Sequence, residues 1–195
     1  MTALALELQP IDWATIEGAL YDWLVSAVVE NAIWEDQNVP QPDYPYASMK
    51  VIAGPVKEAG KDELRSSTLT GQPAGEEVEL LSTSPVVMTL SISFHADPAA
   101  GALEPATRAR SLAMKAQASL GKLSVIRMLD DAGLAIVREE GVTDTSLVIN
   151  GEWLSRATLD VRFRTATQMT ERTGYMDKVQ LESPDFDVDT TVDGS

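Results

Sequence analysis

Residues 145–167 constrain this chain more than any other stretch. Asn150-Gly151 is a strong two-residue hairpin signal, because both residue types accept the positive φ angles of a type I′ turn. Beyond it the sequence alternates. Trp153, Ala157, Leu159, Val161 and Phe163 share one face of the expected strand, and Arg156, Asp160, Arg162 and Arg164 share the other. A strand with this pattern packs its apolar side on a core and turns its charged side to water or to a partner. Nothing in it resembles an active site, so the pattern points to an assembly protein.

The rest of the chain supplies what such a sheet must pack against. Asp12 is a suitable N-cap for a helix running to about Asn31, with Ile16, Leu20, Trp23, Leu24, Ala27 and Val28 on one stripe and Trp13 as a second tryptophan at its start. From Ile33 to Tyr46, Pro40, Pro42 and Pro45 forbid helix and disfavour a central strand. That stretch reads as a stiff extended connector with aromatic anchors. A strand over Ala47–Ile52 is expected to stop at Gly54-Pro55. Residues 57–84 are poor in apolar side chains and read as a projecting β-arm or a long loop, with Val78–Leu81 as a possible short strand.

Pro85–His95 is a second clear strand, with Val86, Met88, Leu90, Ile92 and Phe94 on its apolar side. One long helix is expected over Leu103–Asp131, with Pro105 in its first turn, a stripe from Ala109 through Leu112, Ala113, Ala116, Leu120, Leu123 and Ile126 to Leu129 or Asp130, and Gly133 as its stop. A short strand over Leu134–Val137, a turn at Glu139-Glu140-Gly141 and a last strand over Met176–Leu181 follow. The fold class is therefore α+β: an antiparallel-rich mixed sheet with two main helices packed on one face, plus the arm. Residues 1–182 are expected to form one domain, and the acidic segment 183–195 a flexible tail.

The function classes excluded follow from what is missing and from charge. Among 195 residues there is no cysteine and a single histidine, which rules out disulfides, thiolate chemistry and a Cys/His zinc site. His95 with Ser93 and Asp97 cannot make a triad, because residues two apart on a strand do not converge. Asp185, Asp187, Asp189 and Asp193 do not make a calcium loop, since Thr190 stands where that loop needs glycine. Gly71-Gln72-Pro73-Ala74-Gly75 lacks the Lys-Ser/Thr ending of a phosphate loop. The N-terminal ten residues lack the basic and apolar parts of a signal peptide, and no apolar run approaches the roughly 20 residues that span a bilayer. A net charge of -15 disfavours tight nucleic-acid binding; it serves solubility in the first place, and the sharper alternative is a surface past which DNA slides. Against that background, Arg156, Arg162 and Arg164 form a local basic stripe. It is a solvated face with cross-strand pairs, a surface for salt bridges to an acidic neighbouring subunit or, as a weaker third option, a grip on DNA.

Ile33-Trp34, Gln37-Asn38, Pro42, Pro45 and Tyr46 resemble the segment after the first helix in bacteriophage tail terminator (neck terminator) proteins of contractile-tailed phages. The strand at 85–95, the long helix after it and the hairpin ending in Leu159-Asp160-Val161-Arg162-Phe163 agree in order, so the likeness covers roughly residues 10–182. The resemblance implies a structural virion protein, with no cofactor, that forms a homohexameric ring on the tail tube. Such a ring ends tube polymerisation and joins the tail to the head connector. Its partners would be other copies of itself, the tail tube protein with the tail sheath as a further candidate, and head–tail connector or neck proteins. Genomic DNA would be only passing cargo, and no membrane is involved. Its place would be the virion neck, and the host cytoplasm during assembly. Candidate interface residues are Trp34, Tyr44, Tyr46, Arg156, Arg162 and Arg164. Alternatives are another head–tail connector or tail-completion protein, or a ligand-binding α+β domain.

Overall fold

In the computed structural model, residues 6–9, 11–37, 40–59, 62–72, 76–97, 108–149, 152–174, 178–181 and 190–193 are described. The chain divides into two compact units: Ile11–Lys61 with Ser84–Thr167, and Met1–Pro10 with Asp62–Thr83 and Gln168–Ser195. The architecture is α+β, with a large, mostly antiparallel mixed sheet and, among the described residues, three helices.

The larger unit begins with helix α1, Trp13–Ala27. Asp12 caps it as its residue type predicts: Oδ1 accepts the Thr15 amide at 3.1 Å and Oδ2 accepts the Thr15 hydroxyl at 2.7 Å. These bonds, the hydroxyl first, hold the Asp12 carboxyl below its ordinary range. Ile16, Leu20, Trp23 and Leu24 are buried, as the stripe requires. The helix ends before Asn31, because Asn31–Trp34 forms strand β2, parallel to the start of β3, Tyr46–Lys57. A four-residue strand ahead of a proline-rich stretch carries too little period to be legible. It exists because β3 offers it a backbone edge.

Strand β3 does not stop at Gly54-Pro55. It continues to Lys57 along β5, Val78–Ala96, through register shifts between Val51 and Ala53 and between Ala53 and Val56. Bulges accommodate a proline where a regular ladder cannot. Gly54 has φ +95°, and a Cβ there would lie 2.5 Å from the Val87 carbonyl oxygen, so glycine is required twice over. Val86, Met88, Leu90, Ile92 and Phe94 of β5 are all buried.

The expected single helix is two. Helix α2, Ala109–Ser119, and helix α3, Leu123–Asp131, are separated by a turn at Leu120–Lys122. The start expected at Leu103 and Pro105 lies outside the described residues. The break rotates the buried stripe: Val125 and Leu129 point inward, whereas Leu123 and Ile126, placed on the core side by an unbroken period, are 61% and 44% exposed. Gly133, at φ +73°, ends α3 in a Schellman arrangement, with Gly133 N–H on the Asp130 carbonyl and Leu134 N–H on the Leu129 carbonyl, both at 2.8 Å. Two side chains tie α1 to α2. The Trp23 indole N–H donates to Ser119 Oγ at 2.8 Å inside the core, and Lys115 Nζ donates to the Val28 carbonyl at the end of α1.

The long strand is β9, Glu152–Thr173. In the sheet order it lies beside β5, followed by β3 and β2. It also pairs with β8, Leu147–Ile149, then with β7, Thr143–Asp144, and then with β6, Ala135–Glu139. The β8 register sets Ile149 opposite Glu152; Asn150-Gly151, the expected turn, lies outside the described residues. Ala157, Leu159, Val161 and Phe163 are fully buried against the helices. Trp153 is not: it is 57% exposed beside Val148, because the core begins only at Ala157.

In the smaller unit, β4, Glu63–Thr68, pairs antiparallel with Val78–Thr83, so the 57–84 stretch contains a β-hairpin. Leu69 N–H closes it on the Glu77 carbonyl at 2.7 Å. Leu6–Gln9, strand β1, pairs with the end of β9. Lys178–Leu181, β10, pairs with Thr190–Asp193, β11, which belongs to the stretch read from the sequence as a tail. Met176 at the start of the expected last strand, and Asp185, Asp187 and Asp189, lie outside the described residues.

Candidate interaction face

The helices cover one face of the sheet in the larger unit. The other face carries the side chains that alternate with the core. Register decides which of them meet. Tyr46 stands opposite His95 and Ser48 opposite Ser93 across β3 and β5. The Tyr46 and His95 rings stack with centroids 4.4 Å apart and planes 8° from parallel. Ser48 Oγ donates to Glu35 Oε1 at 2.9 Å and lies 3.2 Å from His95 Nε2. A serine hydroxyl has one proton, and the carboxylate takes it, so the imidazole donates from Nε2. Burial, and then the Arg156 charge, push the His95 pKa down to about 4, against the opposing effect of Glu35. The ring is therefore neutral near pH 7. Glu35 bonds the serine and not the histidine, so this order is that of a structural tie. It is not the order by which a base activates a nucleophile.

The candidate residues read from the sequence divide here. Trp34 is buried in the core, and Tyr46 is buried under its stack on His95. Burial, first, and Tyr44 raise the Tyr46 hydroxyl pKa. Tyr44 is 36% exposed; its ring centroid is 5.5 Å from that of Tyr46, and its hydroxyl accepts from Gln41 Nε2 at 3.2 Å. Arg156 donates from Nη2 to Ser93 Oγ at 2.9 Å. Arg164 pairs with Glu58: Nη2 donates to Oε1 at 3.0 Å, and the two charges approach to 2.7 Å between Nε and Oε2. Arg162 is exposed and has no hydrogen-bond or ion-pair partner among the described residues. It borders an open groove of about 340 Å³ between Val56, Val87, Thr89 and Val137, with Lys57 on the rim.

Glu35, Ser48 and Glu58 were not legible as partners of these residues. Their contacts depend on strand register, which a single sequence does not reveal for separated strands. Arg138 of β6, directly opposite Arg162, was also missed, because β6 does not alternate and runs past the Val137 at which the sequence reading ended it. Among the described residues no three His, Asp or Glu side chains gather in a way that would hold a metal ion, and no helix is long and apolar enough to cross a membrane.

A mixed sheet backed by helices, with a tied polar face and an open basic groove, belongs to the class of α+β proteins whose visible chemistry is contact. The sequence matches the phage neck terminator protein family over residues 14–194, and the chain belongs to that family. None of the curated proteins compared matches it. Its role is accordingly a structural one in the phage tail and neck.

Proposed function

We propose that this protein forms a sixfold ring at the head-proximal end of the tail tube, where it ends tube polymerisation and presents the surface to which the head connector docks. The observation that carries the reading is family membership over nearly the whole chain. Tube protein and connector flank the ring, the sheath is a further neighbour, and DNA passes through the centre. The net charge of -15 suits such a passage, because the wall repels phosphate. The chain acts by fit and forms or breaks no covalent bond. It folds in the host cytoplasm and ends in the virion neck. Arg162 and Tyr44, the exposed candidates, touch neighbouring subunits; Trp34, Tyr46, Arg156 and Arg164 hold that surface from behind.

Reconstruction of the particle neck at side-chain resolution tests this. Six copies around the axis at the tube end are expected. A ring of another order, or a neck without this chain, overturns the reading, as do phages lacking it that still make tails of normal length joined to heads.

A further inference from the structure

Two surfaces of the larger unit are each electrostatically incomplete, and each has what the other lacks. The first is the groove. The register shift between Ile136 and Arg138 sets Val137 and Arg138 against Arg162, as a bulge places two residues opposite one. Arg138 and Arg162 are thus like charges directly across an antiparallel pair, an arrangement that destabilises a sheet unless an anion lies between them. Both are exposed, and neither has an ion-pair partner among the described residues. Beside them the groove floor is apolar, formed by Val56, Val87 and Val137, with Val56 62% exposed. The nearby Glu58 carboxylate is engaged by Arg164.

The second surface is helix α3. Leu123, Ile126 and Asp130 follow one another at spacings of three and four, so they share a stripe. All three are exposed. Asp130 and Asp131 occupy the last turn, which holds no basic residue. Carboxylates at a helix C-terminus oppose the helix dipole and call for a cation from elsewhere. Arg127 lies one turn before Asp131, on the neighbouring stripe, and makes no ion pair with it.

These surfaces cannot complete each other within one chain. Helix α3 packs through Val125 and Leu129 onto the core side of the sheet, the side of Val161 and Phe163. Arg162 lies between those two residues in β9 and points the other way. We infer that the α3 stripe of one copy docks in the groove beside Arg162 of the next, with Ile126 against its valines and Asp130 between the Arg162 guanidinium and that of Arg138 across the strand pair. A contact between different patches on opposite faces is heterologous, and it closes into a ring when its rotation permits. This rests on the ring reading proposed above, and supplies its subunit contact.

The test uses charge exchange in infecting particles. Arg162→Glu alone and Asp130→Arg alone are each expected to lower the yield of joined particles at least about tenfold, while the purified variants keep the wild-type melting temperature. The double variant, which restores opposite charges between positions 130 and 162 and sets an anion at 162 beside the unchanged Arg138, is expected to return to within about threefold of wild type. Full yield from either single variant, or no recovery in a folded double variant, overturns the inference.

A second measurement does not depend on folding of the charge variants. The chain has no cysteine. Ile126→Cys with Val137→Cys, treated with a short bismaleimide in assembled particles, is expected to give a ladder of linked copies. Monomer alone, or linkage to a different protein, overturns the docking. A sixfold ring in the neck without that ladder defeats this contact and leaves the ring standing; a neck without such a ring defeats the functional reading itself.

Discussion

The two faces of the sheet in the larger unit are built from the same strands and do opposite work. On the inner face, Leu159, Val161 and Phe163 are fully buried with Leu90, Ile92 and Phe94. Their interactions are non-directional and numerous, so the face tolerates no missing volume. On the outer face, neighbouring arginines differ in kind although they sit on one strand. Arg164 is ion-paired with Glu58, Arg156 is bonded to Ser93, and Arg162 faces solvent beside a groove. Burial fixes the inner face as a unit. The outer face is fixed one partner at a time, and what is left without a partner is available to another molecule.

That contrast can be broken from the inner side first. Phe163→Ala removes a fully buried ring and should cost about 3–5 kcal/mol in denaturant unfolding. A loss below about 1 kcal/mol would mean that the inner face is not the core. Ser119→Ala leaves the Trp23 indole N–H buried without its acceptor and should cost about 1–3 kcal/mol, measured in the same way. Gly54→Ala forces a side chain into a positive-φ position against the Val87 carbonyl and should destabilise by about 1–3 kcal/mol. If Gly54→Ala melts like wild type, the bulge is not held as described.

Smaller effects belong to the outer face. His95 holds its neutral form, with a pKa of about 4 against the ordinary 6.5. Between those values the unfolded chain binds the proton and the folded chain does not. The stabilisation is therefore present above pH 6.5 and lost as pH falls towards 4. After discounting for the solvent around a partly exposed ring it amounts to about 1–2 kcal/mol. Because this is the sole histidine, His95→Gln should flatten the slope of stability against pH in that window. An unchanged slope rejects the role. Least affected should be Arg162→Ala, which should shift stability by less than about 0.5 kcal/mol, as expected for an exposed side chain with no partner in its own chain. Arg164→Ala should cost more, since it removes the ion pair to the Glu58 carboxylate. Equal values for the two arginines would erase the distinction between them.

The sequence on its own determined the α+β class, the alternating faces of β5 and β9, the Asp12 cap and the Gly133 stop. Each of these is local: a period of two or a helical stripe, a capping side chain, a residue free to take positive φ. It also carried the family likeness, through the order of those elements. Tertiary structure decided the rest. It turned Asn31–Trp34 into a parallel strand, carried β3 past Pro55, and broke one expected helix at Leu120–Lys122, exposing Leu123 and Ile126. It also chose which arginine would be left without a partner. Those outcomes depend on which backbone edge and which carboxylate lie across the sheet, and residues distant in sequence meet only through a register that the folded chain sets.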